Sequence, residues 1–144
     1  MSQEERSNTR DLVYSAWHRT KSLSRFIDTE TAMKTAMIDI DGVEYDPLTK
    51  KPVALIETAI YGKHHKAATV TRNLAIMAGI PAYVVRYVDA DTPNPANVKW
   101  PDITEFHVRR IAPDYSETRI MTPTDFAEFL VSLRTRAQRI KAVS

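Results

Sequence analysis

The stretch MIDIDGVEYDPLTKKPVALIETAIYGKHHK, residues 37–66, decides how the rest of the chain is read. Its first part alternates. Ile38 and Ile40 face one way, and Asp39, Asp41, Val43 and Tyr45 the other, which is the period of a strand running from Met37 to Tyr45. Asp46-Pro47 then opens a turn, and the loop lasts to Pro52. Val53 to Tyr61, rich in Val, Ile, Leu and Ala, is a second strand. So short a connection makes the pair an antiparallel hairpin. The hairpin carries Asp39, Asp41 and Glu44 on its first arm and Glu57 on its second. Lys63, His64, His65 and Lys66 follow directly. Carboxylates at strand ends beside lysines suit a hard cation placed next to a phosphate.

Outward from the hairpin, Gly62 breaks the strand and a helix is expected over about residues 65–78. Ala67, Val70, Leu74, Met77 and Ala78 form its expected buried stripe, and Gly79 followed by Pro81 stops it. Ala82 to Val88 is a third strand, apolar except for Arg86 and two tyrosine hydroxyls. A helix between two such strands is a β-α-β unit, so strands two and three are expected to be parallel. Asp89 to Pro101, with three prolines, reads as a long loop. Thr104 to Ile111 alternates as a fourth strand. Thr122-Pro123-Thr124-Asp125 starts a last helix, with Thr122 as cap and Pro123 at the first helical position. Phe126, Phe129, Leu130, Leu133, Ala137 and Ile140 are its stripe.

Before the hairpin, Ser7 or Asn8 is the expected cap of a helix to about Lys21, with Leu12, Val13, Ala16 and Trp17 on one side. Residues 22–36 fit neither helix nor strand cleanly. The whole is an α/β three-layer arrangement around a mixed sheet of about four strands, expected as a single domain over residues 1–144.

The 144 residues are 43% hydrophobic and 26% charged, ordinary values for a globular domain. The absence of cysteine excludes disulfides, thiolate zinc sites and a thiol nucleophile. No run approaches the length of a membrane span and the first ten residues are polar, so a cytoplasmic protein with no membrane contact is expected. The net charge of +2 is unevenly spread. No acid occurs from Thr58 to Val88, where Lys63, Lys66, Arg72, Arg86 and two histidines fall. The tail from Arg134 onward has four cations and no acid. Basic regions next to a carboxylate cluster suit a polyanion handled with a metal, although the tail by itself reads first as a solvated helix face.

Magnesium takes one or two protein carboxylates and completes its octahedron with water and substrate phosphate. Asp41 and Glu57 are the natural pair, since an antiparallel register can bring them together; Asp39 and Glu44 read first as solvated strand residues. A buried Glu57 would equally be satisfied by a salt bridge. Three glycines in the chain leave no glycine-rich phosphate loop, and no Ser-His-Asp arrangement is visible.

Ile40-Asp41-Gly42-Val43-Glu44-Tyr45, followed by Pro52-Val53-Ala54-Leu55-Ile56-Glu57, resembles the core of the PD-(D/E)xK nuclease superfamily, and Ala78 to Val85 after the helix suits it as well. Trp17-His18-Arg19 and Thr69 to Ala75 are similar to small proteins encoded by phages of actinobacteria. The resemblance implies a restriction-endonuclease-like, Holliday-junction-resolvase-like core. It implies Mg2+ or Mn2+ on Asp41 and Glu57, a DNA endonuclease activity on branched or structured DNA, and a homodimer, in the host cytoplasm if the chain is phage-encoded. It places the catalytic lysine two residues after Glu57, where this chain has Ala59. Lys66 or Lys63 is then expected to serve, with Lys63, His64, His65 and Arg72 on the DNA. The alternative left by Ala59 is a catalytically inactive nuclease-like fold that binds nucleic acid or protein.

Overall fold

The computed structural model describes residues 12–63 and 67–143, with side chains as far as Ala137. These residues fall into two compact units, one ending at Asp39 and one beginning at Ile40.

The first unit has three short helices, α1 (Leu12–Trp17), α2 (Thr20–Leu23) and α3 (Thr29–Met33). The expected single helix to Lys21 is broken at Arg19, whose backbone is extended. Its guanidinium turns back on α1, Nε donating to the Ser15 carbonyl at 3.3 Å. The start expected at Ser7 or Asn8 lies outside the described residues. Asp28 caps α3, its carboxylate accepting from the Thr31 amide at 2.9 Å and from the Thr31 hydroxyl. These bonds hold the Asp28 carboxyl below its usual pKa.

The second unit is an α/β sheet of five strands in sequential order: β1 (Gly42–Tyr45), β2 (Pro52–Ile60), β3 (Ala82–Asn94), β4 (Asn97–Ala112) and β5 (Arg119–Met121). Only β2 and β3 are parallel, joined through α4 (Thr69–Ala78); the other neighbours are antiparallel. The hairpin, the β-α-β unit and the closing helix α5 (Pro123–Val143) therefore follow the expectation. The fifth strand, only three residues long, was not anticipated.

Helices flank the sheet. Phe126, Phe129, Leu130, Leu133 and Ala137 of α5 pack with Ala54, Ile56, Tyr83, Val85, Phe106, Val108 and Met121. Ala75 of α4 packs with Leu55, Ala82, Ile111 and Ala112. Strand alternation assigns these two sets to opposite faces, apart from irregular positions at the strand ends. The Thr122 hydroxyl accepts from the Asp125 amide at 3.1 Å, as the cap sequence predicts.

Three local expectations change. The run 89–101 is not a loop but the distal half of a long hairpin, with Asn94 opposite Asn97 and Pro93 opposite Pro101. The turn Asn94-Pro95-Ala96-Asn97 is closed by Asn94 Oδ1 accepting from the Ala96 amide at 2.9 Å. Its prolines fall among register shifts, where no ladder N–H is required. The first strand begins at Gly42 rather than Met37, because the Asp41 side chain, not its backbone, takes the next ladder donor of β2. Finally, α4 begins at Thr69, and residues 64–66 lie outside the described set. Its buried face is Thr71 and Ala75, while Val70, Leu74 and Met77 point outward. Small side chains let the helix lie close to the sheet, so the large ones take the other side. Gly79 ends α4 at φ 71° in a Schellman arrangement, with Ile80 N–H reaching the Ala75 carbonyl at 3.0 Å and Gly79 N–H reaching that of Ile76 at 3.2 Å.

Candidate functional site

The site is built where β1 ends against β2. Gly42 lies opposite Ile56, Val43 opposite Leu55 and Glu44 opposite Ala54. Asp41 immediately precedes Gly42 and Glu57 immediately follows Ile56, so both stand where this ladder stops. The hairpin expected from the spacing is present, and Asp41 and Glu57 lie at the same end of it. Asp41 is exposed with its carboxylate turned onto the backbone of β2, whereas Glu57 is buried beneath α4. Glu44, paired with Ala54, is directed to the other face. Partial burial there raises its carboxyl pKa.

Each carboxylate is positioned by a threonine. Asp41 Oδ2 accepts from the Thr58 amide at 2.9 Å, with the Thr58 hydroxyl at 3.5 Å. Glu57 Oε1 accepts from the Thr71 hydroxyl at 2.7 Å. Glu57 is 4% exposed and Thr71 1%, so this is a buried contact. Thr71 lies in the first turn of α4, where the helix dipole favours negative charge. The apolar run Val53–Ile56 carries Glu57 inward on its strand, and the β-α-β crossover brings the start of α4 over it.

A hard divalent cation would find the carboxylates of Asp41 and Glu57 here and would take the rest of its shell from water and phosphate. Among the described residues no group of three or more acidic or histidine side chains forms a larger metal site. Lys63 is exposed in the turn after β2, its backbone N–H reaching the Ile60 carbonyl at 3.4 Å. Lys66, His64 and His65 lie outside the described residues. Arg72 is tied into the fold: Nε donates to the Ile111 carbonyl at 2.8 Å and Nη2 to that of Pro113 at 3.3 Å. It fastens α4 to the end of β4.

On the same face, a cleft of about 480 Å3 opens beside the first turn of α4, bordered by Ala68, Thr69, Arg86, His107, Arg109 and Tyr115 among others. Tyr61 stacks on His107 with ring centroids 4.4 Å apart. His107 Nε2 stands 3.5 Å from Glu105 Oε1. The guanidinium carbons of Arg72 and Arg109 each lie 5.0 Å from the Tyr115 ring centre. Comparison with protein-family models, curated proteins and solved structures gave no match. Sequence reasoning placed Arg86 in a basic stretch without assigning it to a site, and it passed over His107 and Arg109. The available signal was alternation: Glu105, His107 and Arg109 occupy every second position of β4, a polar row on a strand whose other row holds Phe106 and Val108.

Proposed function

We propose that the chain is a metal-dependent DNA phosphodiesterase of the PD-(D/E)xK type, with Asp41 and Glu57 holding Mg2+ or Mn2+. One observation carries this reading: Asp41, bonded to the Thr58 amide, and the buried Glu57 lie at the same end of the β1–β2 hairpin, on a sheet with a cleft bordered by arginines. A cation held there polarises a scissile phosphate and lowers the pKa of a bound water. Lys63 and Lys66 are the lysines that would steady the developing charge. Branched or structured DNA is the substrate class and a homodimer the assembly that the resemblance implies, working in the cytoplasm. No helix among the described residues is long and apolar enough to cross a membrane.

The experiment is cleavage of linear, branched and single-stranded DNA with Mg2+ or Mn2+. Wild type cuts at least one of these. Asp41→Asn and Glu57→Gln abolish cutting, and unchanged cleavage in either variant removes that residue from the site. A second reading, a fold that binds nucleic acid without cutting it, is favoured by Ala59 at the expected lysine position and by the threonine bonds that give both carboxylates a structural task. Calorimetry separates the two: no heat with Mg2+ or Mn2+, together with salt-sensitive DNA binding, supports the second.

A further inference from the structure

We propose that the cleft on the α4 face is a phosphate seat centred on Arg86, with Arg109 and His107 beside it. This deepens the proposed function and rests on it only for the source of the phosphate, a nucleic-acid backbone.

Glu57 pairs with Val84, and Val84 with Arg109. Two residues further along β2, Ala59 pairs with Arg86, and Arg86 with His107. Side-by-side residues in a sheet share a face, and so do residues two apart on one strand. Glu57, Ala59, Arg86, His107 and Arg109 therefore form two adjacent rows on one surface. The row beyond the carboxylate begins with a methyl group and continues into a guanidinium and an imidazole. Ala59 is the position where a lysine was expected, and its neighbour on β3 is a cation. The charge lacking on β2 is supplied by the next strand.

Arg86 is half-buried and borders the cleft. Among the described residues its guanidinium makes no hydrogen bond and no ion pair. A partly desolvated cation is costly unless an anion meets it, and guanidinium presents five donors in a planar fork suited to phosphate oxygens. Arg109 is exposed, and its Nε donates to the Ser116 carbonyl at 3.1 Å. That bond and the Tyr115 ring hold its fork at the rim. Among the described residues, those bordering the cleft include no aspartate or glutamate. Glu105, two residues from His107 on β4, is engaged with it at 3.5 Å. Ala68, at the N-cap of α4, offers no side-chain cap, so the first amides of the helix add to the same field without carrying the argument. The volume is that of a small-ligand cleft and admits a phosphate with its attached sugar.

The test uses the full chain in chelator, so that no metal contributes. Binding of a labelled single-stranded oligonucleotide and of a duplex is followed by anisotropy across a salt series, and inorganic phosphate is titrated by calorimetry. Wild type is expected to bind at least one probe. Arg86→Ala should weaken that binding about ten- to hundredfold, the loss of one charge-assisted contact, and lower the salt slope by about one. Arg86→Lys should recover part of the affinity. Arg109→Ala should weaken binding less, and Arg86→Met, judged by its melting temperature, controls for folding. Binding of inorganic phosphate without oligonucleotide assigns the seat to a free phosphate compound; oligonucleotide binding assigns it to nucleic acid. Wild-type affinity and salt slope in both Arg86→Ala and Arg109→Ala overturn the proposal, as does failure of wild type to bind any of the probes at low salt. Asp41→Asn and Glu57→Gln should keep the binding. A chain that binds through Arg86 and never cuts would end the nuclease reading and leave the seat in place.

Discussion

On the α5 face, strands β2, β3 and β4 present Ile56, Tyr83, Val85 and Val108 to a helix 21 residues long. On the α4 face the same three strands present Leu55 and Ile111 beneath the helix, then Glu57, Arg86, His107 and Arg109. The helix on that side has ten residues and buries only Thr71 and Ala75. The difference lies in cover. A long helix with a wide aromatic stripe can seal a sheet face. A short one packed through small side chains leaves the strand ends open, and the charged residues stand where the cover stops. One face is therefore read as the source of stability and the other as the working surface.

The largest expected effect tests the sealed face. Leu133→Ala removes a side chain 4% exposed within the α5 cluster and should cost about 2–5 kcal/mol, measured by denaturant unfolding. Thr71→Val keeps the shape and removes the donor to Glu57. A buried carboxylate left short of a hydrogen bond should cost about 1–3 kcal/mol, and a loss as large as that of Leu133→Ala would blur the contrast between the faces. Arg86→Met should change stability by about 0.5 kcal/mol or less, although its effect on anion binding is large. A severe loss of stability there would make Arg86 a structural residue and break the comparison.

Two smaller predictions concern the first hairpin. Glu44 is pushed up in pKa by burial, so the folded state holds its proton more tightly than the unfolded chain. Its penalty is absent near and below the ordinary value of 4.5 and grows as the pH rises through the folded-state pKa. Glu44→Gln should raise the melting temperature at neutral pH, and the gain should vanish near pH 4. Lys50 holds φ 62° in the β1–β2 loop, where its N–H meets the Asp46 carbonyl at 2.7 Å. Lys50→Gly should relieve a strain of up to about 1 kcal/mol, seen as a small rise in melting temperature.

The sheet was legible because its signals are local. The run Val53–Ile60, the stop at Gly79 and Pro81, and the cap at Thr122 each act within a few residues. The hairpin arm of 89–103 was hidden because three prolines look like a loop, and only pairing reveals that they sit at irregular positions of a ladder. The α4 face was misjudged by one position: large apolar residues seemed the natural buried stripe, whereas close helix-on-sheet approach selects Thr71 and Ala75. The hairpin that carries Asp41 and Glu57 was legible, since so short a connection favours antiparallel pairing. Arg86 was not, because its importance comes from being beside Ala59 across a parallel strand pair, 27 residues later in the chain.

The measurement that bears most directly on the carboxylate pair is anomalous diffraction from crystals of the full chain soaked in Mn2+. The account predicts a peak within coordination distance of both Asp41 and Glu57, lost in Glu57→Gln. A map with no peak between those two residues, or with Mn2+ bound only elsewhere, would contradict it.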